Sequence, residues 1–275
     1  MSALEQHSLV PPEYGPAASL INGDGNSRVI LVCEHASRFI PPSLGQLGLN
    51  NSDQSSHAAF DIGADELARQ ISAILDAPLV ISNISRLVYD CNRPPESLDA
   101  IPARSEIIDI PGNRDLSSGE RKARVEEVYL PFRELLKDVL ENRAKGGSAL
   151  VTIHSFTPVY FGKPRQVELG LLHDADNRLA KAMFQLAPEF TRLKTLLNEP
   201  YGQADGVTHT LKEALPLGLL NVMIEVRNDF LTDDDESMNI AAELAALIEK
   251  AINSCQENSA NRTGQTDQVT TNGAT

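Results

Sequence analysis

Tryptophan is absent from this sequence, aromatic residues make up only 5% of it, and cysteine occurs three times in 275 residues. Three cysteines without a paired spacing exclude a disulfide framework, and two of them sit in apolar runs that read as buried strands. A reducing cytoplasm is the expected compartment. Basic residues are scarce as well: 24 Lys and Arg stand against 38 Asp and Glu, for a formal net charge of -14. With no local Lys/Arg cluster to break that balance, nothing attracts nucleic acid or an anionic membrane surface, and neither is expected as a partner. Nowhere do about 18 uncharged apolar residues run together, and the first 20 residues lack the basic start and apolar stretch of a signal peptide. No GxGxxG or GxxxxGK[ST] pattern follows a strand, so nucleotide phosphate has no cradle. Nothing in the sequence speaks to oligomeric state.

What is present is enough apolar material, 41% of the chain, for one sizeable core. A single domain over residues 21–255 is expected, after a flexible segment 1–20. The tail 256–275 offers almost no apolar side chain to offset the entropy of ordering and is expected to be disordered. Apolar runs of strand length alternate with helical periodicity, which predicts an α/β fold with a three-layer mixed sheet flanked by helices. The predicted strands are Val29 to Cys33, Leu79 to Ser82, Ala149 to Ile153, Glu168 to Leu172 and Leu220 to Val226. Helices are predicted over Ala58 to Leu75, Gly119 to Arg143, Asn177 to Leu186 and Met238 to Ile252. Arg93 to Leu116 and Ser155 to Arg165, rich in Pro, Gly and polar residues, read as loops.

In open α/β sheets, ligands bind beyond the carboxyl ends of the strands, so the side chains released there are the ones to inspect. Three strands release Glu34 and His35, His154 and Ser155, and Glu225 followed by Arg227. Two imidazoles completed by a carboxylate, with a fourth position for water, are a donor set that suits zinc. For the third ligand, His57 and Asp61 are four apart in HAAFDIGADELA and would share a helical face, although Asp61 also fits a helix first-turn acid. Alternation along the strand turns Glu34 away from the face of His35.

SRLVYDCNRPP brings Arg86, Asp90, Asn92 and Arg93 together. Arginine grips a carboxylate through two parallel hydrogen bonds, so a small carboxylate-bearing substrate is implied; ion pairing of these arginines with Asp90 and nearby acids is the plainer alternative. Glu225 ends an apolar run and is costly to bury unpaired. That makes it the candidate general base, with Arg227 on the same side, or else the partner of Arg86 or Arg93 in a salt bridge. His209 and Tyr201 are candidate pocket residues; a helix-start turn with Tyr as core filler accounts for them equally. His173 and His7 carry no assigned role.

The segments VCEHASRFIP, HAAFDIGA, SRLVYDCNRP, IHSFTPVYFGKPR, NEPYG and IEVRNDFL, spread from Val29 to Leu231, occur in the order seen in the N-formylglutamate amidohydrolase family, which the chain resembles. The resemblance implies a fold like that of the zinc carboxypeptidase and aspartoacylase group, with one zinc per chain at the strand ends and hydrolysis of an acyl amide. It implies His35 as first ligand and His154 as the distant one, Arg86, Asn92 and Arg93 around the substrate carboxylate, and Glu225 as base. Arg227 and His209 are added to the substrate contacts, and Arg86 to the groups that steady a developing oxyanion. Arg38 stands where that group carries its ligand Glu, so Asp61 is expected to replace it, with His57 as the alternate. Another acyl amino acid or a short peptide as substrate, or a metal-free carboxylate-binding protein, are the competing readings.

Overall fold

The computed structural model describes residues 8–144 and 148–270, with side chains through 258. The outermost parts of both expected flexible ends, residues 1–7 (with His7) and 271–275, lie outside the described residues. Seven strands form one mixed sheet: β1 (Ala18–Ile21), β2 (Val29–Cys33), β3 (Leu79–Ser82), β6 (Ala149–Phe156), β9 (Leu169–Leu172), β10 (Thr195–Leu197) and β11 (Leu220–Arg227). Their spatial order is β1-β3-β2-β6-β11-β9-β10. The central four, β3, β2, β6 and β11, are mutually parallel, whereas β1 and β9 pair antiparallel with β3 and β11. Two short hairpins, β4 (Arg104–Ser105) with β5 (Ile108–Asp109) and β7 (Val159–Tyr160) with β8 (Lys163–Pro164), stand outside it.

The helices are α1 (Asn51–Gln54), α2 (Ala64–Leu75), α3 (Ser118–Arg124), α4 (Leu130–Arg143), α5 (Arg178–Phe190) and α6 (Asp234–Thr270). Alternate residues of the central strands face opposite ways, and each face is apolar. Leu31, Val151, Ile153, Val222 and Ile224 pack against α2, α5 and α6, while Ile30, Val32 and Leu150 pack against α4 through Phe132, Leu136 and Leu140. Helices on both faces of a largely parallel sheet are the three-layer arrangement predicted.

The differences from the sequence reading have local causes. β1 begins inside the segment expected to be flexible, because Ala17 and Ala18 are buried and the strand completes the open edge of β3. β10 is short and only half-buried, so its apolar pattern is weak. The helix predicted over Gly119 to Arg143 is one rod with a wide turn at Val125–Tyr129, just ahead of Pro131, whose missing N–H cannot join an ordinary α turn. The backbone of α6 continues to Thr270, into the segment for which composition predicts no order.

The helix predicted from Ala58 starts at Ala64 instead. Gly63 at its N-cap has φ +81, a left-handed conformation, and a Cβ there would lie 2.6 Å from Leu231 Cβ. His57 and Asp61 therefore occupy turns ahead of the helix and share no helical face. Gly63→Ala should cost roughly 1–3 kcal/mol of stability by chemical denaturation, through strain and this clash; an unchanged midpoint would show that the turn carrying Asp61 is not held in this conformation.

Candidate active site

Chemistry-bearing side chains collect where the four parallel strands end. β2 runs into Glu34 and His35; His154 lies within β6 and Glu225 within β11, where they are paired in register; the turn after β3 carries Arg86 and Asp90. Asp61 joins them because its turn is pinned to two of these strand ends. Its N–H donates to the His35 carbonyl at 3.0 Å, and Ser155 Oγ donates to the Ile62 carbonyl at 2.6 Å. The Arg86 turn is fixed by Ser85, whose N–H donates to the Phe39 carbonyl and whose hydroxyl donates to the Ala59 carbonyl. Glu34, His35, Asp61, Asp90, His154 and Glu225 are all buried.

The hydrogen-bond inventory around the two imidazoles is informative. His35 Nδ1 lies 3.2 Å and His154 Nδ1 2.8 Å from the same atom, Asp61 Oδ2. At the other side of each ring, His35 Nε2 lies 2.7 Å from Asp90 Oδ1, and His154 Nε2 makes an ion-pair contact of 3.0 Å with Glu34 Oε2 that is not aligned as a hydrogen bond. Each imidazole thus meets a carboxylate at both nitrogens, yet a neutral imidazole has one N–H. If the protons sit on Nε2, facing Asp90 and Glu34, two Nδ1 lone pairs and the Asp61 carboxylate are left pointing at one another.

Those three donor atoms lie within 4.8 Å of one another. Two neutral imidazoles, each oriented by a carboxylate behind it, with a third carboxylate beside them, match the chemistry of a divalent-metal site. Protonation of both rings is the alternative, and the charges show the same frustration. Burial and the Arg86 guanidinium oppose charging His35, but Asp90 and Asp61 outweigh them; burial likewise opposes charging His154, but Glu34 and Asp61 hold its pKa well above the ordinary value. Burial would raise the Asp61 carboxyl, yet His35 and Arg86 keep it well below the usual range.

A cavity of about 360 Å³ opens over this group and is lined by His35, Asp61, His154, Glu225, Arg86 and Arg93, among others. Arg86 Nη1 donates to Asp61 Oδ1 at 2.7 Å, and its Nη2 is 3.7 Å from Asp90 Oδ2. Glu225 makes neither of the salt bridges considered for it, and among the described residues its buried Oε2 has no hydrogen-bond partner. Burial pushes its pKa up to about 7, with His154 and Arg86 pulling it back and Asp61 adding to the rise. Asn92 lines the cavity, but its Nδ2 donates to the Val207 carbonyl and its Oδ1 accepts from the Thr210 N–H, so it also ties down the loop over the site. Tyr201 lines the cavity as well.

His57 stands at the rim, 2.8 Å from Glu106, with no contact to the His35, Asp61 and His154 group. Two expected substrate contacts are not brought to the cavity. Arg227 closes β11 at φ -66, and its guanidinium is taken by Asp229 at 2.8 Å and Glu168 at 3.4 Å. His209 lies 2.9 Å from the Tyr129 hydroxyl in a separate crevice. Sequence reasoning also missed the placement of Glu34 and Asp90. The strand ends at Cys33, so the alternation argument does not reach Glu34, whose Oε2 lies 3.0 Å from His154 Nε2 on the neighbouring strand.

The profile of the N-formylglutamate amidohydrolase family matches residues 27–232. The crystal structure of gene product Atu2144 from Agrobacterium tumefaciens is similar over 90% of this chain and 99% of its own, at 49% identity and a TM-score of 0.87. The structure of N-formylglutamate amidohydrolase from Ralstonia eutropha JMP134 is similar over 88% of this chain and 99% of its own, at 16% identity and a TM-score of 0.58, which shows a shared fold. No curated protein matches the sequence.

If Glu34 orients His154 from behind, Glu34→Gln should weaken zinc affinity about 10- to 100-fold in a calorimetric titration, because the ring loses its charged partner. An unchanged affinity would remove Glu34 from that role.

Proposed function

Since the chain belongs to the N-formylglutamate amidohydrolase family, hydrolases that act on an amide bond, we propose that it is a zinc hydrolase of N-acyl amino acids such as N-formylglutamate. Water would cleave the acyl amide to release the free carboxylic acid, formate for the formyl substrate, and the amino acid. The observation that carries this reading is the convergence of His35 Nδ1, His154 Nδ1 and Asp61 beside Glu225, whose Oε2 has no hydrogen-bond partner among the described residues.

His35, Asp61 and His154 hold one Zn²⁺, which when bound supplies Lewis acidity to the amide carbonyl and to water. Glu225 accepts the proton of the attacking water. Burial raises its pKa above the ordinary carboxylate range, which suits a group that gives that proton back, to the amide nitrogen as the C–N bond breaks. Among the described residues Glu225 Oε2 has no hydrogen-bond partner to give up before it accepts that proton.

Arg86 and Arg93 hold the substrate's α-carboxylate and so set the amide against the three ligands. Arg86 is braced by Asp61 and Asp90, and Arg93 by its bond to the Asp205 carbonyl at 2.7 Å, so neither has to be ordered on binding. Placed next to the ligand Asp61, Arg86 also steadies negative charge developing on the carbonyl oxygen. Cys33 and Cys91 are buried thiols outside any disulfide, which suits a cytoplasmic enzyme of small-molecule metabolism. No helix among the described residues is long and apolar enough to cross a membrane.

Chelation should abolish formate release from N-formylglutamate, and added zinc should restore it. Glu225→Gln should retain zinc and lower kcat by about 10²- to 10⁴-fold with little change in substrate affinity. A loss of only a few-fold would remove Glu225 from the base role. Failure of the zinc-loaded wild type to turn over any N-acyl amino acid would favour a carboxylate-binding protein.

A further inference from the structure

Tyr201 belongs to the loop that Asn92 and Arg93 tie down over the site. Its hydroxyl is placed unlike those of the two buried tyrosines. A phenol has one proton to donate and lone pairs with which to accept. The Tyr89 hydroxyl donates to the Arg93 carbonyl at 3.2 Å, and the Tyr129 hydroxyl faces His209 Nε2 at 2.9 Å. The Tyr201 oxygen instead accepts from Arg165 Nη2 at 2.8 Å, and a guanidinium cannot accept in return. Among the described residues nothing else bonds to that hydroxyl, so its proton has no acceptor there. Tyr201 lines the catalytic cavity, which leaves the proton for whatever the cavity holds.

Arg165 is not itself a cavity residue; it stands behind Tyr201. Its guanidinium carbon lies 4.7 Å from the Tyr201 ring centroid, 4.5 Å from that of Tyr160 and 5.4 Å from that of Phe156. Nη1 donates to the Thr157 carbonyl at 3.3 Å, and the Arg165 backbone N–H donates to the Pro158 carbonyl at 2.8 Å. A cation held in this way fixes the phenol oxygen and polarises its O–H bond. Burial and the Glu225 carboxylate push the Tyr201 pKa up to about 12, while Arg165 and Arg86 pull it back, so the hydroxyl keeps its proton at neutral pH. The same charges put the hydroxyl within electrostatic reach of Glu225 and Arg86, at the reacting end of the cavity.

Resting on the amide-hydrolase reading above, we propose that Tyr201 is a further catalytic residue, donating a hydrogen bond to the acyl carbonyl oxygen as that oxygen gains charge, and that Arg165 is the positioning residue that directs and polarises its O–H. The chemistry of the scissile amide selects the acceptor. Its N–H is a donor, its carbonyl oxygen is an acceptor, and the α-carboxylate is held by Arg86 and Arg93. Negative charge moves onto the carbonyl oxygen as water adds, so the bond from Tyr201 is stronger in the transition state than in the ground state. Arg86 is shared between Asp61 and Asp90, and Tyr201 adds a donor that no carboxylate of the protein competes for. The phenol keeps its proton throughout. The proton count of the reaction, from water to Glu225 to the departing amine, is therefore unchanged.

The test is a double-mutant cycle on N-formylglutamate hydrolysis by the zinc-loaded wild type, Tyr201→Phe, Arg165→Met, Arg165→Lys and the double variant. Tyr201→Phe should lower kcat by about 10²- to 10³-fold, the effect of removing one donor to an oxyanion, with KM changed by less than about threefold. Arg165→Met should lower kcat by about tenfold or more, because the hydroxyl loses its direction, and Arg165→Lys should recover part of that loss. In the Tyr201→Phe background, Arg165→Met should cost less than about threefold further, since the group it acts through is gone. A kcat for Tyr201→Phe within about threefold of wild type, or a loss confined to KM, would overturn the catalytic role. An Arg165→Met loss of equal size in both backgrounds would show packing alone and overturn the positioning role. A wild type that turns over no N-acyl amino acid would instead remove the amide-hydrolase reading, and the role of Tyr201 with it.

Discussion

The site depends on one shortage of protons. His35 and His154 each face a carboxylate at both ring nitrogens, and the Nδ1 atoms share a single oxygen of Asp61. Two neutral imidazoles cannot donate four times. Either both rings carry charge in a buried pocket, or something positive replaces the Nδ1 protons, and a divalent cation meets that demand with the donor atoms already in place. Arg86 on the other Asp61 oxygen limits the negative charge without filling the gap between the rings.

The sheet makes this arrangement possible. Parallel pairing of β2, β6 and β11 delivers Glu34, His154 and Glu225 to the same end, and the register that sets Glu225 opposite His154 keeps a prospective base beside a prospective ligand. Apolar packing on both faces bears the cost of burying so much charge there. The turn before α2 then brings Asp61 in from outside the sheet. Its dependence on Gly63 and on the His35 carbonyl couples local backbone conformation directly to the site.

Much of this was legible in the sequence for physical reasons. The central strands are continuous apolar runs because both faces are buried, and the polar residues that end them are where such sheets place ligands, so His35, His154 and Glu225 could be named from pattern. Asp61 was named together with His57 from a helical spacing that the structure does not have, since the helix starts only at Ala64, and the resemblance was needed to rank it ahead of His57. Glu34 and Asp90 act through contacts between strands and loops far apart in sequence, which no local pattern encodes. Arg227 and His209 lie outside the cavity for a related reason, since residue type suggested a task while Asp229, Glu168 and Tyr129 engage their side chains. The two hairpins at the cavity mouth were too short to show any period.

The most direct test of the central claim is anomalous diffraction at the zinc edge from crystals of the zinc-loaded protein. The account predicts one strong peak per chain, in contact with His35 Nδ1, His154 Nδ1 and a carboxylate oxygen of Asp61, with both Nε2 atoms still facing Asp90 and Glu34. A peak at another set of residues, or none after saturation with zinc, would contradict it and leave two charged imidazoles as the solution to the same shortage of protons.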